Sequence, residues 1–177
     1  MFEGWGEYFF MIGSSAAALI GLMFVVVTLT AGRERDQTER GKRLYTSPIV
    51  WHLAVVLLLS GAAIAPTINA RLFGFATSGL ALLGIAMGFR SAVGIQRERL
   101  TGADSMFDMW WYGIVPAVAY VGLGGASVAV LTESNCSASA VAAALMALLL
   151  VSIHAEWDLV TFLAPLAPAS AEGGKKN

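Results

Sequence analysis

Residues 9–30 read FFMIGSSAAALIGLMFVVVTLT, a run without a single Asp, Glu, Lys or Arg. At about 1.5 Å per residue, a helix of this length crosses the roughly 30 Å hydrocarbon core of a bilayer. The run is too long for the apolar core of a secretory signal. The residues before it carry Glu3 and Glu7 but no basic side chain, so the positive start of a cleavable signal is missing. The stretch is expected to be a retained first transmembrane helix.

Four further apolar segments lie at about residues 48–68, 72–94, 110–131 and 138–163. The whole chain of 177 residues is 57% hydrophobic and 13% charged, with a mean hydropathy of +0.70. Soluble domains carry about 25% charged residues, so about half of the usual solvating surface is missing. Backbone polar groups in lipid must be paired within the segment or in a closed barrel. Segments this long and this rich in Ala and Leu do not suit barrel strands. The expectation is an all-α integral membrane bundle of five transmembrane helices. Residues 1–164 would form one domain and 165–177, beginning at Pro165 and ending in SAEGGKKN, a disordered cytoplasmic tail.

Positive charge sets the expected orientation. Arg33, Arg35, Arg40, Lys42 and Arg43 follow the first segment, Arg97 and Arg99 the third, and Lys175 and Lys176 the fifth. These connections share one side, and only Arg71 stands in a connection on the other. The positive-inside rule then puts the N-terminus outside and the C-terminus in the cytoplasm of a membrane crossed several times. Pro66 and Asn69 suit a short external turn between the second and third segments. The basic connection would also touch anionic headgroups, so the bilayer is itself a partner.

Several chemistries are disfavoured. A net charge of −1 leaves no basic face for nucleic acid. The glycines fall inside apolar segments rather than in a phosphate-cradling loop. Cys136 is the single cysteine, which removes intramolecular disulfides and thiolate clusters. HAEWD does not have the order of the HExxH zinc motif, and neither IGSSA nor LLSGA is a GxSxG elbow. A non-enzymatic role is expected.

Two kinds of residue stand out within the segments. Gly13, Ala17 and Gly21 are spaced by four in the first, and Gly84 and Gly88 in the third. Small residues at that spacing let helix backbones approach closely, within one chain, between copies in a homo-oligomer, or against other membrane proteins. The second kind is polar. With alternating crossings, His52, Arg90, Tyr112, His154 and Asp158 share one depth in the cytoplasmic third of the bundle. His154 and Asp158 are one turn apart and are expected to face the bundle, with Glu156 pointing the other way. Ionisable groups inside a span mark functional sites, while the same residues near the interface would also serve as packing contacts within an aromatic belt.

Three roles fit such a cluster. It would anchor an accessory or assembly component to other membrane proteins. It would pass protons or ions. Alternatively His52 and His154 would hold a haem or, with Asp158, a metal ion, although a second shell for two imidazoles is hard to find.

The stretches EYFFMIGSSAAALIGLMFVVVTLTAG, TSPIVWHLAVVLL, FDMWWYGIVP and IHAEWDLVTFLA together resemble a group of small uncharacterised bacterial inner-membrane proteins. The likeness covers most of the chain and implies a bacterial origin and the five-helix layout. It carries no activity and no catalytic residue.

Overall fold

The computed structural model describes residues 2–30, 35–99 and 110–163, and every regular element among them is helical. In chain order these are α1 (Gly6–Thr30), α2 (Arg35–Ile64), α3 (Ala70–Arg99), a π-helical turn (Trp110–Ile114), α4 (Val115–Leu131) and α5 (Ser137–Leu163). Three stretches are long and apolar enough to cross a membrane: Gly6–Thr28, Ala70–Arg90 and Ser137–Thr161. Pro48–Ile64 and Val115–Leu131 are shorter apolar helical stretches. The tail 165–177 lies outside the described residues, as do the side chains of Arg33, Arg35, Arg40, Lys42, Arg43, Arg97 and Arg99.

Helix α2 begins well before the expected segment and runs through Pro48. The stretch RDQTERGKR, expected as a connection, is helical because most of its residues favour helix. Helix α3 similarly continues past residue 94 to Arg99.

The connections are tight. After α2 the Ile68 amide donates to the Ala65 carbonyl at 3.4 Å, and the Asn69 side chain caps α3 by accepting from the Leu72 amide at 2.8 Å. The turn expected at Pro66 and Asn69 is therefore present. After α4 the Ser134 amide donates to the Ala129 carbonyl at 2.9 Å and the Glu133 amide to that of Val130 at 3.1 Å. This is the double closure of a Schellman ending, and it holds Glu133 at φ 53°, where glycine is the usual occupant.

Helices α1, α2 and α5 pack mutually, α4 packs against α5, and α3 lies against α4 with a lighter contact to α2. Phe9, Ile12, Leu53, Val56, Leu123 and Leu148 are fully buried where these helices meet. Phe10, Phe24, Leu58, Phe75, Phe89, Val118 and Leu150 point outward on the five helices. Water-facing surfaces rarely carry apolar patches on every element, and this distribution is compatible with a membrane protein.

Small residues form the α3–α4 seam. The two helices run antiparallel, pairing Gly74 with Leu131, Ser78 with Ser127, Gly84 with Tyr120 and Gly88 with Ala117. A Cβ on Gly74 would stand 2.6 Å from Leu131 Cδ2. Gly84 and Gly88 thus make their close contacts with α4 of the same chain.

Within the chain, the α1 stripe is in close contact only at Gly13 among its three residues. A Cβ on Gly13 would meet Ser60 Cβ of α2 at 3.0 Å, but Ala17 is exposed and Gly21 has nothing within 4 Å. The inward face of α1 runs instead through Phe9, Ile12, Ala16 and Met23. Steps of four advance about 40° beyond a full turn at about 100° per residue, so a long four-spaced stripe drifts off the interface.

Candidate functional site

The expected cluster divides into two sites. At the first, His52 of α2 is buried and its Nδ1 lies 2.8 Å from the hydroxyl of Tyr120 on α4. In the tautomer protonated on Nε2, Tyr120 donates to Nδ1. The Tyr120 ring is fully buried and lies on the backbone of Gly84, where no side chain leaves room for it. One tyrosine therefore ties α2 and α3 to α4. The sequence offered one signal for this residue: it is the single polar-tipped aromatic within α4.

At the second site, the His154 ring of α5 lies against the indole of Trp111, with centroids 4.1 Å apart and planes inclined by 38°. Its Nε2 stands 3.5 Å from Asp158 Oδ2, at ion-pair range but long for a hydrogen bond. The two side chains are 36% and 39% exposed.

The π-helical turn positions Trp111, and Pro116 explains the turn. Proline cannot donate to the carbonyl of Tyr112 four residues back, and its ring presses on that carbonyl, so the preceding turn widens. The Tyr112 side chain lies outside the described ones.

The face of α5 buried against the bundle carries Leu148, Ser152, Ala155 and Leu159. His154 and Asp158 stand on its flank rather than facing the bundle as expected. Arg90 is exposed on α3 and forms no ion pair with Asp158 among the described residues. Arg90 was expected at the same depth, but α3 packs against α4, the π-helical turn and α2. Glu156 lies on the other flank of α5, toward α1, as its spacing from His154 required.

No group of three His, Cys, Asp or Glu among the described residues is placed to hold a metal ion. His52, His154 and Asp158 accordingly do not come together as a ligand set. His52 turns one ring nitrogen to Tyr120, and His154 is occupied by Trp111 and Asp158. Axial ligation of one haem by both histidines would need them to face each other, and their contacts lie on different helices.

Three other buried hydroxyls donate to carbonyls of their own helices, whereas Ser60 Oγ and Trp51 Nε1 are buried without a hydrogen-bond partner among the described residues. Thr77 donates to the Phe73 carbonyl at 2.7 Å, Ser127 to that of Gly124 at 2.6 Å and Ser152 to that of Leu148 at 2.9 Å. Such back-bonding satisfies a hydroxyl in an apolar setting without a partner helix. What the geometry offers is a half-exposed imidazole, oriented by an indole and a carboxylate, on the side of an apolar bundle. No family model, curated protein or solved structure matches this chain.

Proposed function

We propose that this chain is a multi-pass protein of a bacterial inner membrane, with its N-terminus outside and C-terminus in the cytoplasm, acting as a non-enzymatic accessory or assembly component. It would join other membrane proteins through the Trp111–His154–Asp158 flank of α5. The observation that carries this reading is the placement of His154 and Asp158, half exposed beside the buried face rather than within it. Polar side chains that remain partly exposed on the side of an apolar bundle are costly against hydrocarbon, and a neighbouring membrane protein covering that flank would remove the cost. Proton or ion passage is supported less, because the hydroxyls of Thr77 and Ser152 bond to their own helices and His52 is held by Tyr120.

In-membrane photo-crosslinking from Leu150, exposed one turn before His154, tests the proposal. A discrete adduct with another membrane protein is expected, lost in the His154→Ala/Asp158→Asn double variant while the unfolding midpoint is retained. Adducts to lipid alone, together with proton flux in proteoliposomes that Asp158→Asn abolishes, would replace this reading with transport.

A further inference from the structure

On the opposite flank of α5, an open groove of about 360 Å³ runs between α1 and α5. Leu19, Leu22 and Val26 form one wall and Trp157 and Val160 the other, with Glu156 the single ionisable side chain among its lining residues. Glu156 Oε1 is buried and has no hydrogen-bond partner among the described residues. An ionised carboxylate has only acceptor sites, so it requires a donor from elsewhere.

We infer that this groove binds a lipophilic amine, a molecule with an apolar body along α1 and α5 and a cationic head on Glu156. Three features select this occupant. The walls are apolar, so the body must be apolar too. The lone acceptor calls for a donor, and a cationic donor supplies both the hydrogen bond and the opposite charge. The volume lies in the range of small-molecule sites, about 300–1,000 Å³, and the lined part of each helix is about two turns long, short for a docked transmembrane helix. A lipid acyl chain would fill the groove but leave Oε1 without a donor. The site is independent of the Trp111–His154–Asp158 flank, since Glu156 is about 200° around α5 from His154 at about 100° per residue.

The test uses the full chain in nanodiscs of zwitterionic phosphatidylcholine, with an ω-brominated long-chain alkylamine and the matching alcohol as probes. Bromine quenches the fluorescence of Trp157, which is 68% exposed at the groove. The amine is expected to quench saturably, at a dissociation constant about tenfold below that of the alcohol, the scale of one charge-assisted hydrogen bond. Glu156→Gln should abolish that difference, and Trp157→Phe should remove the saturable signal. If Glu156→Gln fails to fold, Leu22→Phe, which narrows the groove from an exposed position, should weaken amine binding instead. Equal affinity for amine and alcohol, or a preference surviving Glu156→Gln, would overturn the inference. So would amine binding unchanged in Leu22→Phe, or a co-purifying membrane protein that seals the groove and excludes both probes.

Discussion

Gly84→Ala places a methyl group inside the space filled by the Tyr120 ring, overlapping Cγ, Cδ1 and Cε1. A flexible side-chain tip would swing aside, but this ring is fully buried and its hydroxyl is fixed 2.8 Å from His52 Nδ1. Overfilling a packed site costs about 1–3 kcal/mol. Displacing the ring also strains or breaks the His52 hydrogen bond, worth about 0.6 kcal/mol on average and about 1.7 at most in membrane bundles. Replacing glycine by alanine within a helix returns at most about 1 kcal/mol. The net expectation is a loss of about 1–3 kcal/mol, read from the unfolding midpoint in mixtures of dodecyl sulfate and a mild detergent. Gly21→Ala is the internal control: nothing lies within 4 Å of its Cβ position, so it should be neutral or slightly stabilising. Gly84→Ala should also cost far less when Tyr120 is already alanine, because the clash is then gone. Equal effects at Gly84 and Gly21, or a penalty at Gly84 indifferent to Tyr120, would refute the packing argument.

Tyr120→Phe keeps the ring on Gly84 and deletes only the hydroxyl; it should lower stability by about 0.6–1.7 kcal/mol, and a double-mutant cycle with His52→Ala should assign most of that to the pair. Glu133→Gly should raise stability by up to about 1 kcal/mol, seen as a higher unfolding midpoint, since a left-handed backbone costs a residue with a side chain about 1–2 kcal/mol and glycine's freedom in the unfolded chain offsets only part of the gain. A fall in midpoint for Glu133→Gly would mean that its carboxylate makes a contact outweighing the strain at φ 53°.

Much of the axial organisation was legible in the sequence, because length, hydropathy and turn residues report along the chain. The five apolar segments, the Pro66–Asn69 turn and the close approach at Gly84 and Gly88 all appear. The azimuth of each helix was not. In water, a polar face marks the outside of a helix, but around these helices the outward positions Phe10, Phe24 and Val25 of α1 are as apolar as the inward Phe9, Ile12 and Met23. Periodicity then has no contrast to read, so the sequence could not say that only Gly13 of the Gly13, Ala17 and Gly21 stripe meets a neighbouring helix within the chain. The same blindness gathered His52 and His154 into one cluster: similar depth says nothing about which neighbour a side chain faces. The helical start of α2 was missed for a different reason, because charge was read as a connection although most residues of that stretch favour helix.

The distribution of polar contacts constrains what this bundle is built to do. Two side-chain hydrogen bonds cross between helices among the described residues, His52 with Tyr120 and Ser78 with Ser127, and both end on α4. The buried hydroxyls of α3 and α5 that bond to carbonyls, those of Thr77 and Ser152, stay on their own helices. Helix α4 is thus fixed to α2 and α3 by directional bonds, whereas α1 and α5 meet across an apolar groove that contains Glu156. Van der Waals contact alone tolerates small displacements that a hydrogen bond of fixed length resists. If the bundle yields anywhere, it should yield between α1 and α5. Helix α5 carries His154 and Asp158 on one flank and Glu156 on the other, so occupation of the groove would shift the partner-facing flank with it. A ligand that binds the two positions of α5 unequally would couple the flanks, and the coupling would be reciprocal: occupancy of the groove should change crosslinking from Leu150 by the same factor that a bound partner changes affinity for the amine.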